Sequence, residues 1–391
     1  NLSSMQSLSK RLPQINFALL QTLTPFEALK RYAKLSESLY PQPLTFNRTS
    51  WKPTASPVKS KLIPWYALAF LIVMTATNLY LILFQQLLSH EKDIDISVAV
   101  CLILVIECVI VTLCTTICST YNFRADELCF VIGNLLTISA TFKESTNLVG
   151  IFLHGLISPI ITMPVGACGT VILDQTLDPT YFWLRKVTII SSKLQLFIRA
   201  MVIFCVALHT AIVIFGFGVI GVNIILLILE TLERVPSSTC SKQSSICKFA
   251  TDVQTYRQLQ IITHVTNIVF WYVLPVLSLE VVIGAVIMGY MLIKMTGNIS
   301  YVVVILEMML NALIFGFILI AFPLGADVIK KSVDSLRILG LQGGVSYSKR
   351  QLRSCRPLKI WAGSYFYIHR GTGMMLLGLI AYYTMSSVVS I

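Results

Sequence analysis

Residues 200–229 read AMVIFCVALHTAIVIFGFGVIGVNIILLIL, thirty positions without one Asp, Glu, Lys or Arg. As a helix rising about 1.5 Å per residue, this stretch exceeds the bilayer core, for which about 20 apolar residues suffice. Arg185, Lys186, Lys193 and Arg199 are spread through its approach and oppose a division into two spans. The spacing predicts one long helix over 193–229 that tilts or runs on beyond the bilayer. Six further apolar runs cover roughly 62–87, 96–119, 148–173, 265–293, 299–324 and 358–391. Across all 391 residues 55% are hydrophobic, 12% are charged and the mean hydropathy is +0.78. Soluble domains carry about 25% charged residues. The composition excludes disorder, argues against a water-soluble enzyme, and predicts an all-α membrane protein with seven transmembrane helices.

The formal net charge of +12 is an orientation label rather than a nucleic-acid surface. With the N-terminus inside, segments 1–61, 120–147, 230–264 and 325–359 are cytosolic and hold 23 of the 30 basic residues. Lys and Arg accumulate on the cytosolic side of membrane proteins. The expected topology therefore has the N-terminus cytosolic and the C-terminus extracellular. A cytosolic segment 1–61 precedes the membrane domain 62–391, and no tail follows the last helix at Ile391. This is opposite to a G-protein-coupled receptor, and neither Asp-Arg-Tyr after the third run nor Asn-Pro-x-x-Tyr in the seventh is present. No cleavable leader precedes the first apolar run, and the initial Asn1 suggests a partial or processed start.

The chemistry of an enzyme is missing. There is no HExxH, P-loop or nucleophile elbow, and no catalytic, metal or cofactor site is implied. Gly216-x-Gly218-x-x-Gly221 has the form of a dinucleotide fingerprint but lies inside a membrane run with no strand before it, so its glycines predict close helix packing. Of ten cysteines, Cys101, Cys108, Cys114, Cys118, Cys129, Cys168 and Cys205 lie in or beside apolar runs and read as small packing hydrophobes. Cys240 and Cys247 would face the reducing cytosol and stay free thiols. Two glycosylation sequons well inside the chain, at Asn47 and Asn298, carry no expectation of use: the first would be cytosolic, the second too close to the membrane.

Several short stretches carry a family likeness. They are Pro25-Phe26-Glu27-Ala28-Leu29; Phe123-Arg124-Ala125-Asp126-Glu127-Leu128 with Ile132 and Asn134; and Tyr256-Arg257-Gln258-Leu259-Gln260 leading to Asn267. A fourth runs from Arg356-Pro357-Leu358 through Ala362-Gly363 to Tyr365-Phe366. With the inverted seven-helix topology, they resemble the insect and arthropod chemoreceptor superfamily of gustatory and odorant receptors. The gustatory hallmark Thr-Tyr-x5-Gln-Phe is not intact, because residues 382–391 read YYTMSSVVSI and lack both Gln and Phe. The gustatory type is favoured over the odorant type.

The resemblance implies a plasma-membrane, ligand-gated, non-selective cation channel. It implies a homotetramer or heterotetramer whose seventh helices, about 371–391, surround the pore. Segments 230–264 and 325–360 would form a cytosolic anchor, whose basic residues also suit anionic membrane lipid. A small-molecule tastant or odorant would bind in the outer half of each bundle, with no cofactor and no nucleic acid involved. The alternatives are an odorant receptor subunit needing a co-receptor, a G-protein-coupled receptor of opposite topology, and a solute transporter.

On that basis Tyr383, Ser386, Ser387, Val388 and Ser390 are the candidate pore-lining residues; Tyr383, Ser387 and Ser390 share one helical face. Ordinary helix contact is the competing reading of that face. Gly371, Gly373 and Gly378 would loosen the helix into two pieces. Met163, Phe197, Met201, Phe204, Tyr301, Glu307 and Met308 are the candidate ligand contacts. Glu107, Glu280 and Glu307 lie within apolar runs, where a carboxylate needs a partner, a wet cavity or a proton. Interhelical hydrogen bonding and ligand contact are both open to them. His154 and His209 read as satisfied packing residues.

Overall fold

The computed structural model describes residues 23–56, 59–88, 93, 96–138, 148–173, 178–185, 191–237, 245–297, 301–342 and 346–390. Seven helical segments in it are long and apolar enough to cross a membrane. They are Lys59–Leu88, Val98–Phe123, Leu148–Ile172, Ser192–Val235, Val273–Lys294, Tyr301–Leu341 and Arg370–Ser390. The chain is a multi-pass all-α membrane protein.

The first helix among the described residues, α1 (Pro25–Leu39), is an amphipathic helix outside these spans. Thr24 caps it by accepting from the Glu27 N–H at 3.2 Å, and Pro25 occupies a first-turn position where no N–H is needed. Its buried residues Ala28, Leu29, Tyr32, Ala33 and Ser36 recur at helical spacing and form one face. A two-stranded hairpin follows, β1 (Leu44–Phe46) against β2 (Pro53–Ala55), antiparallel with Thr45 opposite Thr54. Glu37 ties α1 to it by accepting from the Phe46 N–H at 2.9 Å.

Next come α2 (Ile63–Leu88), α3 (Val98–Phe123) and the short α4 (Ala125–Ile138). The third span is two helices, α5 (Leu148–Gly155) and α6 (Pro159–Leu173), divided by a turn at 156–158 just before Pro159. Proline has no N–H and clashes with the carbonyl a turn earlier, so a helix restarts at it more readily than it continues through it. The short α7 (Pro179–Leu184) precedes the longest element, α8 (Ser192–Ser237), a single helix of 46 residues as the charge pattern predicts. Then follow α9 (Ser245–Val269), α10 (Val273–Lys294), α11 (Tyr301–Gln342) and α12 (Ser346–Arg353). A second hairpin, β3 (Trp361–Ala362) with β4 (Phe366–Tyr367), leads into the last helix, α13 (Arg370–Ser390).

Three span limits differ from the sequence expectation. The run 265–293 is broken at 270–272 into α9 and α10, with Pro275 falling in the first turn of α10, where its missing donor costs little. The run ending at 324 continues through Pro323 to Gln342; neighbouring helices make a proline tolerable in a membrane helix. Residues 358–369 form loop and hairpin rather than helix, and α13 is unbroken from Arg370 to Ser390 despite its three glycines. Cys240 and Asn298 lie outside the described residues, as does the side chain of Cys247.

α8 is the axis of the bundle: 83% of its most apolar window is buried, against 17% for α13. Its glycines let neighbours in. A Cβ on Gly216 would stand 2.0 Å from the Tyr32 hydroxyl, and one on Gly221 would stand 3.5 Å from the Phe270 ring. Tyr32 donates to the Ile212 carbonyl at 3.3 Å, so α1 is seated on α8 through this one absent side chain. Gly216→Leu is expected to unseat α1 and destabilise the chain by about 1–3 kcal/mol. Protease access to α1 in detergent would report it; an unchanged digestion pattern would refute the seating.

His209, fully buried, accepts or donates at both ring nitrogens, toward Tyr40 Oη at 2.6 Å and Cys118 Sγ at 3.7 Å. His154 Nδ1 bonds the Gly150 carbonyl at 2.8 Å. Cys101, Cys108, Cys114, Cys118, Cys129, Cys168 and Cys205 are all free, as packing cysteines would be.

Candidate functional site: a bundle cavity, its seal and the last helix

The side chains of α3, α6, α8, α10 and α11 line a half-open cavity of about 420 Å³ in the bundle. That is within the range of small-molecule sites, which are concave, mostly apolar and furnished with few polar groups. Ile106, Ile203, Val206, Leu277, Val281 and Leu310 contribute to an aliphatic wall, and five phenylalanines add aromatic faces. Thr75 and Thr170 line it too, but their hydroxyls donate back to the Leu71 and Ala167 carbonyls at 2.9 and 2.8 Å. Thr210 Oγ has no partner. Glu107, Glu280 and Glu307, from three different helices, all line this one cavity.

Of the candidate ligand contacts, the structure brings Met163 and Glu307 to the cavity. Phe197, Met201, Phe204, Tyr301 and Met308 are exposed on the outside of the bundle. A helix apolar all round carries no face signal, and Phe, Met and Tyr suit lipid as well as a cavity wall. The acids carried the usable signal, because a carboxyl is not placed in lipid without cause. What spacing could not reveal was that all three converge.

One end of the bundle, where α2 stops and α3 starts, is closed by charge. Arg199 of α8 and Asp178, which caps α7, form an ion pair (Nε to Oδ2, 2.6 Å) whose side chains are 3% and 0% exposed. The other carboxylate oxygen, Oδ1, accepts from the Thr180 N–H at 2.8 Å and the Thr180 hydroxyl at 2.6 Å. The guanidinium lies over the Tyr181 ring, 5.2 Å from its centroid. Arg185 pairs with Asp93 of the preceding loop, joining two connections at the same end.

The opposite end is held by hydrogen bonds. Tyr256 of α9 and Ser332 of α11, both fully buried or nearly so, meet at 2.7 Å. Tyr256 donates to the Arg356 carbonyl at 2.9 Å, while Ser332 Oγ accepts the Leu358 N–H at 2.7 Å. Since a phenol has one proton, it is the Ser332 hydroxyl that donates to Tyr256. Burial pushes the Tyr256 phenol up to about 12, so it keeps that proton. Gln260 donates to the same Arg356 carbonyl at 2.9 Å; Asn267 donates to the Lys359 carbonyl and accepts from the Trp361 N–H, each at 2.9 Å. The sequence stretches around Tyr256 and Arg356 therefore grip one another, and the grip sits directly before α13. Gly363, at φ +59°, turns the second hairpin against Trp271 and Pro275.

On α13, Thr372, Leu376, Ile380 and Thr384 form the buried line. Gly289 of α10 makes room for Thr384: a Cβ there would lie 3.0 Å from its methyl. Val388 is half-buried against Met288, Tyr290 and Met291, and Ser387 is half-buried. Tyr383, Ser386 and Ser390 are exposed, as are Met374, Met375, Tyr382, Met385 and Val389.

A seven-span bundle with a cavity among its helices is thus defined by geometry alone. No family model and no curated protein matches the sequence. Solved structures match the fold. The insect olfactory receptor OR5 from Machilis hrabei superposes with a TM-score of 0.64 at 11% identity, over 92% of this chain and 97% of that one. The same receptor in complex with eugenol gives 0.66 at 12% identity, over 93% and 98%. At such identity the likeness is one of fold, spanning nearly the whole of both chains.

Proposed function

We propose that this chain is a subunit of a chemosensory cation channel of the insect chemoreceptor superfamily, set in the plasma membrane with its N-terminus cytosolic. A small molecule occupying the bundle cavity opens a pore built from the last helices of four subunits. The observation that carries the reading is the apolar, half-open cavity, in a fold shared with a receptor solved with eugenol bound. Tyr383, Ser386 and Ser390 put hydroxyls on the exposed surface of α13, which supports a helix completed by other copies. The concentration of basic residues at the end bearing α1, α4, α9 and α12 supports the orientation. The gustatory type is the preferred subtype although its terminal motif is altered, and Tyr383, Ser386, Ser387, Val388 and Ser390 are the pore-lining candidates, Ser387 and Val388 being half-buried on α13.

Ala207→Trp, which puts an indole into the cavity, is expected to abolish or right-shift at least tenfold the current evoked by eugenol or a broader tastant panel. Surface expression should persist. Particles of the purified full chain should contain four copies. A stable monomer, or an N-terminal tag accessible on intact cells, would overturn the proposal.

A further inference from the structure

Among the described residues the cavity wall contains no Lys, Arg, His or Asp; its ionisable groups are Glu107, Glu280 and Glu307. Glu280 and Glu307 are 7% and 6% exposed. Glu107 Oε2, Glu280 Oε2 and both oxygens of Glu307 lack any hydrogen-bond partner. Burying such groups without compensation is costly, and interhelical bonding does not supply the compensation here. Counted from the helix ends nearest α7, Glu307, Glu107 and Glu280 lie about 9, 14 and 21 Å deep at the helical rise. The acids thus form a ladder down the cavity rather than one cluster at its mouth.

The chemistry of a fitting occupant follows by elimination. A hydrocarbon leaves every oxygen unpaired, and an anion adds repulsion. An alcohol offers one donor. An ammonium group offers the opposite charge together with up to three N–H donors, and charge-assisted bonds are the strongest of these choices. Phe215, Phe217, Phe270, Phe317 and Phe322 on the same wall suit an apolar body and favour a nearby cation through their ring faces. We propose that the cavity selects organic amines: a protonated amino group held by Glu307, Glu107 or Glu280, on an aliphatic or aromatic body. This rests on the reading of the cavity as the ligand site.

The test uses the purified full chain in detergent and three probes with a common phenylalkyl body. These are 2-phenylethylamine, 2-phenylethanol and 3-phenylpropanoate, with binding read from the thermal midpoint as a function of concentration. The amine should bind at least tenfold more tightly than the alcohol, and the carboxylate should not bind. Glu107→Gln, Glu280→Gln and Glu307→Gln preserve shape and should fold at least as stably as the parent. At least one should weaken the amine tenfold or more while leaving the alcohol unchanged. Equal affinity for amine and alcohol, full amine affinity in all three variants, or no binding by the amine would each overturn the proposal. The readout is independent of conduction. Carboxyl-dependent amine binding without current would sink the channel reading alone; currents evoked by neutral compounds and indifferent to all three variants would sink only the amine reading.

Discussion

Arg199→Ala is expected to destabilise the folded bundle by about 3–5 kcal/mol, the usual consequence of stranding one member of a buried ion pair. Asp178 would be left fully buried with its Oδ2 facing the space vacated by the guanidinium. The Tyr181 ring would lose the cation above it. The measurement is the temperature at which the detergent-solubilised protein leaves its monodisperse elution peak. Arg234→Ala removes an ion pair too, with Glu230 one turn away on α8, but that pair is partly exposed and should be worth about 0.3–0.5 kcal/mol. The neutral pair Asp178→Asn with Arg199→Gln keeps an acceptor for the Thr180 N–H and should recover most of the loss. If Arg199→Ala proves no worse than Arg234→Ala, the seal does not hold the end of the bundle.

The same arginine shows what is legible in the sequence. Its place within the approach to the long apolar run favours a single helix, and α8 is one. Its partner is 21 residues back, in a connection whose polarity gives no sign of a buried acid. Long charge-poor runs mark spans because the bilayer tolerates nothing else, so their number could be read directly. The sequence did not distinguish Pro159, at which a helix restarts, from Pro323, through which one continues, since neighbours decide whether a proline interrupts a membrane helix. The glycines of α8 signalled close packing without saying that Tyr32, 184 residues earlier, would fill the gap. Apolar periodicity was least informative for the cavity, because lipid and cavity wall ask for the same side chains. Five outward-facing residues were thus as plausible in sequence as Met163. Glu107, Glu280 and Glu307 stood out singly, and only the packing of α3, α10 and α11 makes them neighbours of one space.

Ser332→Ala should be the most informative change at the other end of the molecule. The chain of donors there runs from the Leu358 N–H to Ser332, from Ser332 to Tyr256, and from Tyr256 to the Arg356 carbonyl, so it begins and ends on the same loop. Removing the hydroxyl leaves the Leu358 N–H without a partner in a buried setting, at a cost of about 1–3 kcal/mol. Tyr256→Phe is milder, at about 0.5–1.5 kcal/mol, because Gln260 still donates to the Arg356 carbonyl. That order, Ser332→Ala worse than Tyr256→Phe, distinguishes this grip from simple packing, in which trimming the larger side chain's polar tip and the smaller one's would count alike. The loop so held is the covalent link between the α11–α12 region and α13. If α13 lines the pore, loosening the loop by such an amount should shift ligand sensitivity by about 5–150-fold, the range of coupling free energies between distant sites. Because such coupling is reciprocal, amine or tastant binding to the cavity should shift in the same direction as the currents. Thermal midpoints, binding curves and currents on the two variants separate the effects. Reversal of the order, or currents and binding unchanged in both, would mean that the grip is structural and takes no part in opening.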